Sequence, residues 1–386
     1  MIRAKTTLLA AAAALLPGLL SAEQGITDDA VTFAQVAALE GPAAALGQGM
    51  RTGMMAAFEE ANSNGGVHGR QIVLDSINDG YEPDLSVQHV QSVIAGNGHI
   101  GLIGAVGTPT SAATQPVATA AGMPFIGPFT GAGFLRKAEH GNVYNVRATY
   151  FAETEAWIQH LVDNKGMQKV ALLYQDDGFG RVGLAGVTAA LESRGMSLVA
   201  SGTYTRNTVA VKKALISIRK AKPDAVVMVG AYKPVAEFIR MSRKLKFNPT
   251  FVNISFVGAE ALAAELGEDG EGVIISQVVP FPWDASVPVV AQYQNALSAV
   301  APDAAPSFVT LEGYLTGRLA IKGLEAAGKD LTRESFMDAM AGLRHLDFGG
   351  VEMEFGPGDN QGMDDVFLTH ITSDGGFAPI QMGGDS

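Results

Sequence analysis

Residues just past the carboxyl end of a buried strand are the ones an open parallel sheet presents to a ligand. Five such stretches here carry polar and aromatic types suited to binding. Gly107-Thr108-Pro109-Thr110-Ser111 follows an apolar run that ends at Val106. Thr108 can cap the next helix, with Pro109 at its first position. Free N–H groups, hydroxyls and a positive helix end then converge, which suits a carboxylate or another anion. An ordinary helix cap would use the same residues with no ligand. Thr130-Gly131-Ala132-Gly133 follows the next run, either as a second polar turn at that edge or as a plain turn. Further on come Gln175-Asp176-Asp177-Gly178-Phe179-Gly180, then Ala231-Tyr232-Lys233, then Ser255-Phe256. Phe179, Tyr232 and Phe256 are able to wall an apolar group, or simply to pack in a core.

Catalytic patterns are missing. The glycines in Gly47-Gln48-Gly49 and Gly131-Ala132-Gly133 do not complete G-x-G-x-x-G, and there is no G-x-x-x-x-G-K-[ST], no G-x-S-x-G and no H-E-x-x-H. The seven histidines lack metal-ligand spacing, and cysteine is absent, which removes thiolate chemistry and disulfides. Asp75 with Asp79, and Asp176 with Asp177, are the nearest approach to paired carboxylates, and strand ends and turns explain them better than acid–base work. The expectation is a binding cleft, not an enzyme, with no cofactor and no metal.

Two series of alternating strands and helices position these stretches. The first has strands at Val31–Val36, Gln71–Ile77, Ile100–Val106 and Pro124–Phe129, with helices at Gly49–Ser63, Pro83–Ala95 and Pro109–Ala120. Short apolar runs bounded by Gly, Pro and Asn are what strands buried on both faces look like. Met50, Met54, Ala57, Phe58 and Ala61 form the stripe with which the first helix packs on the sheet. The second series has strands at Lys169–Tyr174, Leu198–Thr203, Ala225–Val229 and Thr250–Ile254, with helices at Phe151–Asn164, Gly180–Arg194, Val209–Lys222 and Lys233–Leu245. The remainder makes no third series: a strand at Gly272–Val279, a Pro-rich stretch, helices at Val289–Val300, Phe308–Ala327 and Thr332–Ala341, and short strands at Gly350–Phe355 and Val366–Thr372. Such segments cross between the two lobes more than once and make a hinge.

Composition agrees. The 386 residues are 47% hydrophobic and 17% charged, enough to bury two α/β cores. The net charge of −12 argues against nucleic acid, which needs a basic patch. Arg3 and Lys5, the apolar run Leu8–Leu16 and the small residue Ala22 read as a signal peptide cleaved after Ala22. No Cys follows that point to take a lipid anchor. The expected location is therefore the periplasm of a two-membrane bacterium.

The chain resembles the type I periplasmic substrate-binding proteins of ABC transporters, specifically the branched-chain amino acid (Leu/Ile/Val) binding group. The resemblance covers nearly all of the chain after Ala22. It is carried by Glu40-Gly41-Pro42, by Asn62-Ser63-Asn64-Gly65-Gly66-Val67-His68-Gly69-Arg70, by Asn78-Asp79, by the stretch from Ile103-Gly104 to Pro116, and by Pro124-Phe125-Ile126 leading to Thr130-Gly131-Ala132. It implies two Rossmann-like lobes joined by a three-crossover hinge, with lobe one from 27–147 and 276–347, and lobe two from 148–275 and 348–386. It implies that Gly107 to Ser111 hold a ligand carboxylate and that Thr130 and Gly131 add head-group contacts. Lobe two would contribute Phe179 and Tyr232, with Tyr150, Ser255 and Phe256 also lining the site. The partners implied are a small-molecule ligand and the permease and ATPase subunits of an inner-membrane transporter, with the chain itself a monomer. Amino acid binders of this group place an acid after the strand that here ends at Ile254, where this chain has Ser255 and Phe256. Glu153 or Asp176 could replace that acid. Otherwise the ligand has no ammonium, and an aromatic or aliphatic carboxylate or a short amide fits. The resemblance ranks an amino acid or amino acid-like ligand first and such carboxylates next, with a periplasmic sensor partner that presents ligand to a membrane receptor as the alternative to transport.

Overall fold

The computed structural model describes residues 24–381, so the signal peptide expected before Ala22 lies outside the described residues. The first lobe is built on β1 (Ala30–Ala37), β2 (Gln71–Asn78), β3 (Gly101–Ile103), β4 (Phe125–Ile126) and β5 (Val143–Tyr144). All are parallel, in the order β2-β1-β3-β4-β5. Helices α1 (Ala44–Ser63), α2 (Pro83–Gly96) and α3 (Thr108–Ala120) complete its crossovers.

The second lobe carries β6 (Val170–Gln175), β7 (Ala200–Tyr204), β8 (Ala225–Val229), β9 (Thr250–Asn253) and β10 (Ile274–Gln277), with helices α4 (Tyr150–Ile158), α5 (Gly178–Glu192), α6 (Lys212–Ala221), α7 (Tyr232–Lys244) and α8 (Ala259–Leu266). Every residue of β8, Ala-Val-Val-Met-Val, is buried, as expected of a central parallel strand covered on both faces. After β10 the chain returns to the first lobe as α9 (Pro288–Val300), α10 (Phe308–Ala327) and α11 (Arg333–Gly342), of which α9 and α10 pack on α1. A two-stranded ribbon, β11 (His345–Asp347) with β12 (Glu352–Glu354), precedes the last passage. β13 (Phe367–Ile371) and β14 (Phe377–Ile380) then add antiparallel strands to give β14-β13-β10-β9-β8-β6-β7. The chain thus passes between lobes after β5, after β10 and before β13.

Met50, Met54, Ala57 and Phe58 of the α1 stripe are buried and Ala61 is half-buried, close to what the spacing predicts, although the helix begins at Ala44 rather than Gly49. The pattern gave no sign of β5, β11 or β14. Each is two to four residues long, too short for a period to show.

Candidate functional site

The strand carboxyl ends of the two lobes meet. On the first lobe, Gly107 takes φ +100° and is itself the cap of α3, with no side-chain cap bond. The structure therefore corrects the role expected of Thr108. That residue is already helical, and its Oγ1 lies 2.7 Å from Thr130 Oγ1 instead. Pro109 sits in the first turn, and Thr110 Oγ1 donates back to Val106 O. Ser111 Oγ is buried with no hydrogen-bond partner. A side chain on Gly107 would meet the Tyr81 ring at 2.2 Å, so that turn admits only glycine.

Gly131 O accepts from Tyr150 N at 2.9 Å, and a Cβ on Gly131 would lie 2.6 Å from Tyr150 Cδ1. Thr130, Gly131 and Tyr150 are thus brought into contact, with Tyr150 fully buried. Burial raises the pKa of the Tyr150 phenol against the pull of nearby Arg147 and Thr130. Its hydroxyl makes no hydrogen bond of standard geometry.

Aromatic rings close the space between the lobes. Phe256 stands 4.7 Å from Phe179, 5.4 Å from Phe129 and 6.0 Å from Tyr81, centroid to centroid, and Tyr150 stands 5.4 Å from Phe179. Tyr232 lies apart from this cluster. Its hydroxyl accepts from Ala45 N at 3.4 Å, an interlobe contact at another edge. Gln175 donates to the Tyr81 hydroxyl at 3.3 Å across the cleft, and Arg206 and Asn207 each reach Glu82 at 2.7 Å.

The acids near the cleft all have partners. Asp177 caps α5 through Phe179 N and accepts from Gln175 and Arg206. Glu153 accepts from Ser255 N at 2.8 Å, from Ser255 Oγ at 2.9 Å and from Ser276 Oγ. Asp176 is exposed, 3.7 Å from Arg181. Asp75 pairs with His99, and Asp79 accepts from Ser86, so neither forms a carboxylate dyad. Among the described residues no cluster of His, Cys, Asp or Glu could hold a metal ion.

Sequence reasoning missed Arg147 and Glu312. The Arg147 guanidinium is buried, with Nε 2.9 Å from Glu312 Oε1, Nη2 donating to Oε2 at 3.0 Å, and Cζ 4.3 Å from the centre of the Phe129 ring. Burial pulls its pKa down, but the Glu312 carboxylate, helped by Tyr150 and Glu153, outweighs that and the net shift is upward. Burial, then Arg147, pushes the neighbouring Arg136 to about 10. Tyr81 was also unremarked, and Phe129 was read only as the end of a strand, whereas β4 stops at Ile126 and leaves Phe129 past the strand end.

The family model described as "Periplasmic binding protein" matches residues 30–376. A Leu/Ile/Val-binding protein homolog 7 of Brucella melitensis is 24% identical over 220 residues, which is 55% of this chain and only 55% of that relative's length. The Leu/Ile/Val-binding protein BraC3 of Rhizobium johnstonii is 25% identical over 80% of this chain and 83% of its own. Among solved structures, a possible leucine/isoleucine/valine-binding protein from Rhodopirellula baltica superposes with a TM-score of 0.87 at 35% identity, covering 92% of this chain and 97% of that one.

Proposed function

Starting from the chain's membership of the periplasmic binding protein family, we propose that it is the solute-binding component of an ABC uptake transporter. It binds a small carboxylate in the interlobe cleft and catalyses no reaction. The observation that carries this reading is the meeting of the two sets of strand ends at one spot, where hydroxyls and the amino end of α3 adjoin the ring cluster of Phe129, Phe179 and Phe256. A helix amino end and hydroxyls recognise an anion, and rings recognise an apolar body. In this reading Gly107 to Ser111, Thr130, Gly131 and Tyr150 face the ligand from lobe one and the first hinge passage. Phe179, Ser255 and Phe256 face it from lobe two, while Tyr232 acts at the closing edge. Closure of the hinge expels water and forms the surface that a membrane permease engages.

The test is native mass spectrometry of the full chain expressed with its leader in a two-membrane bacterium and purified without unfolding. The expected result is one small molecule per chain, lost on unfolding, with a larger radius of gyration after refolding. A native chain that carries no adduct and has the same radius before and after refolding overturns the reading.

A further inference from the structure

We propose that the cleft takes a carboxylate without an ammonium group, carrying a flat aromatic or branched aliphatic body. This rests on the cleft being a solute site. The buried side-chain atoms around it that lack a partner are chiefly donors: Ser111 Oγ, Tyr150 OH and Arg147 Nη1. Two hydroxyls, one guanidinium N–H and the amino end of α3 match an anionic head that only accepts hydrogen bonds.

An ammonium has the opposite need, because it brings three donors and no acceptor. The carboxylates that could receive it are already engaged. Glu312 faces Arg147 with both oxygens. Both Glu153 oxygens face Ser255, and one of them also takes the Ser276 hydroxyl. Asp177 serves Phe179 N, Gln175 and Arg206. Asp176 is at the surface. Among the unpartnered buried side-chain atoms, what remains for an ammonium is hydroxyl lone pairs and Asn253 Oδ1, whose side chain is tied to Ile274 O in the sheet. Burying a cation on neutral acceptors alone is costly. Phe129, Phe179, Phe256 and Tyr81 contribute ring faces, so the body these walls select is apolar.

The experiment measures melting of the unfolded-and-refolded chain against matched pairs: 4-methylpentanoate with leucine, 3-phenylpropanoate with phenylalanine, and benzoate alone. The expected result is a rise of about 5 °C with a saturating deaminated acid and none with its amino acid partner. Ser111→Ala and Tyr150→Phe should each weaken the acid about tenfold. Circular dichroism of the unliganded variants serves as the folding control. A larger shift with leucine or phenylalanine overturns the class and leaves the solute-binding reading standing. Silence from every pair, with an adduct on the natively purified chain, also overturns the class alone. Silence together with no adduct removes both.

Discussion

The Phe129 and Phe256 rings meet across the interlobe cleft with centroids 5.4 Å apart, one from each lobe and both fully buried. Phe256 also reaches Phe179 and Tyr81, so a single side chain ties the turn after β9 to both sides of the cleft. The contact between the lobes here therefore runs through one ring.

Truncating that ring should be expensive. Phe256→Ala is expected to lower unfolding free energy by about 3 to 5 kcal/mol, the usual range for a buried Phe. Phe256→Leu should cost much less, because it keeps most of the volume. Denaturant titration checks this, and an alanine cost below about 1 kcal/mol would show that the cluster is not packed in the unliganded chain.

The turn bearing Phe256 hangs on Glu153. Glu153→Ala removes the acceptor of Ser255 N, Ser255 Oγ and Ser276 Oγ, leaving up to three buried donors unpaired. At about 1 kcal/mol or more for each donor, a loss near 3 kcal/mol is expected. In the same variant, hydrogen exchange should speed up at Ser255 and Phe256 before it does in β6 or β8. Uniform acceleration over the whole second sheet would contradict this local role.

Arg147 and Glu312 are a buried ion pair across the first lobe. Arg147→Met leaves the Glu312 carboxylate buried and uncompensated, so a cost of about 3 to 5 kcal/mol is expected. Arg147→Met with Glu312→Leu should recover most of that loss, because neither charge is then stranded. A double variant no more stable than the single one would mean that the guanidinium contributes mainly through its stacking on Phe129.

Much of the architecture was legible because parallel strands buried on both faces leave apolar runs that need no partner to be recognised, as β6 and β8 do. The stretches after those runs gave Gly107, Thr130, Phe179 and Phe256 for the same reason. Arg147 was not legible. It follows β5, a two-residue strand, and its partner Glu312 is 165 positions away on a helix that reads as ordinary core. The role of Thr108 was misread because a Thr before Pro looks like a cap, whereas Gly107 with positive φ took that position and freed the hydroxyl for Thr130. Which acids are free to meet a ligand is a matter of tertiary partners. Only the folded chain shows that Glu153 is engaged by Ser255.

A last pair links the lobes on another side. Glu260, at the start of α8, accepts from Phe308 N, the first residue of α10, at 2.8 Å. Burial raises the Glu260 pKa from 4.5 to about 7, against the pull of that N–H. Because the folded pKa lies above the unfolded one, the folded chain holds a proton between those two values that the unfolded chain has lost. Stability from this group is thus fully present below about pH 4.5, falls as the pH rises to about 7, and is level above that. Glu260 is partly exposed, so a fall of order 2 kcal/mol is expected. Glu260→Gln keeps an acceptor for Phe308 N and should abolish that part of the slope. Denaturant titrations of both chains between pH 4.5 and 8 measure the difference, and equal slopes would show that Glu260 titrates normally in the folded protein.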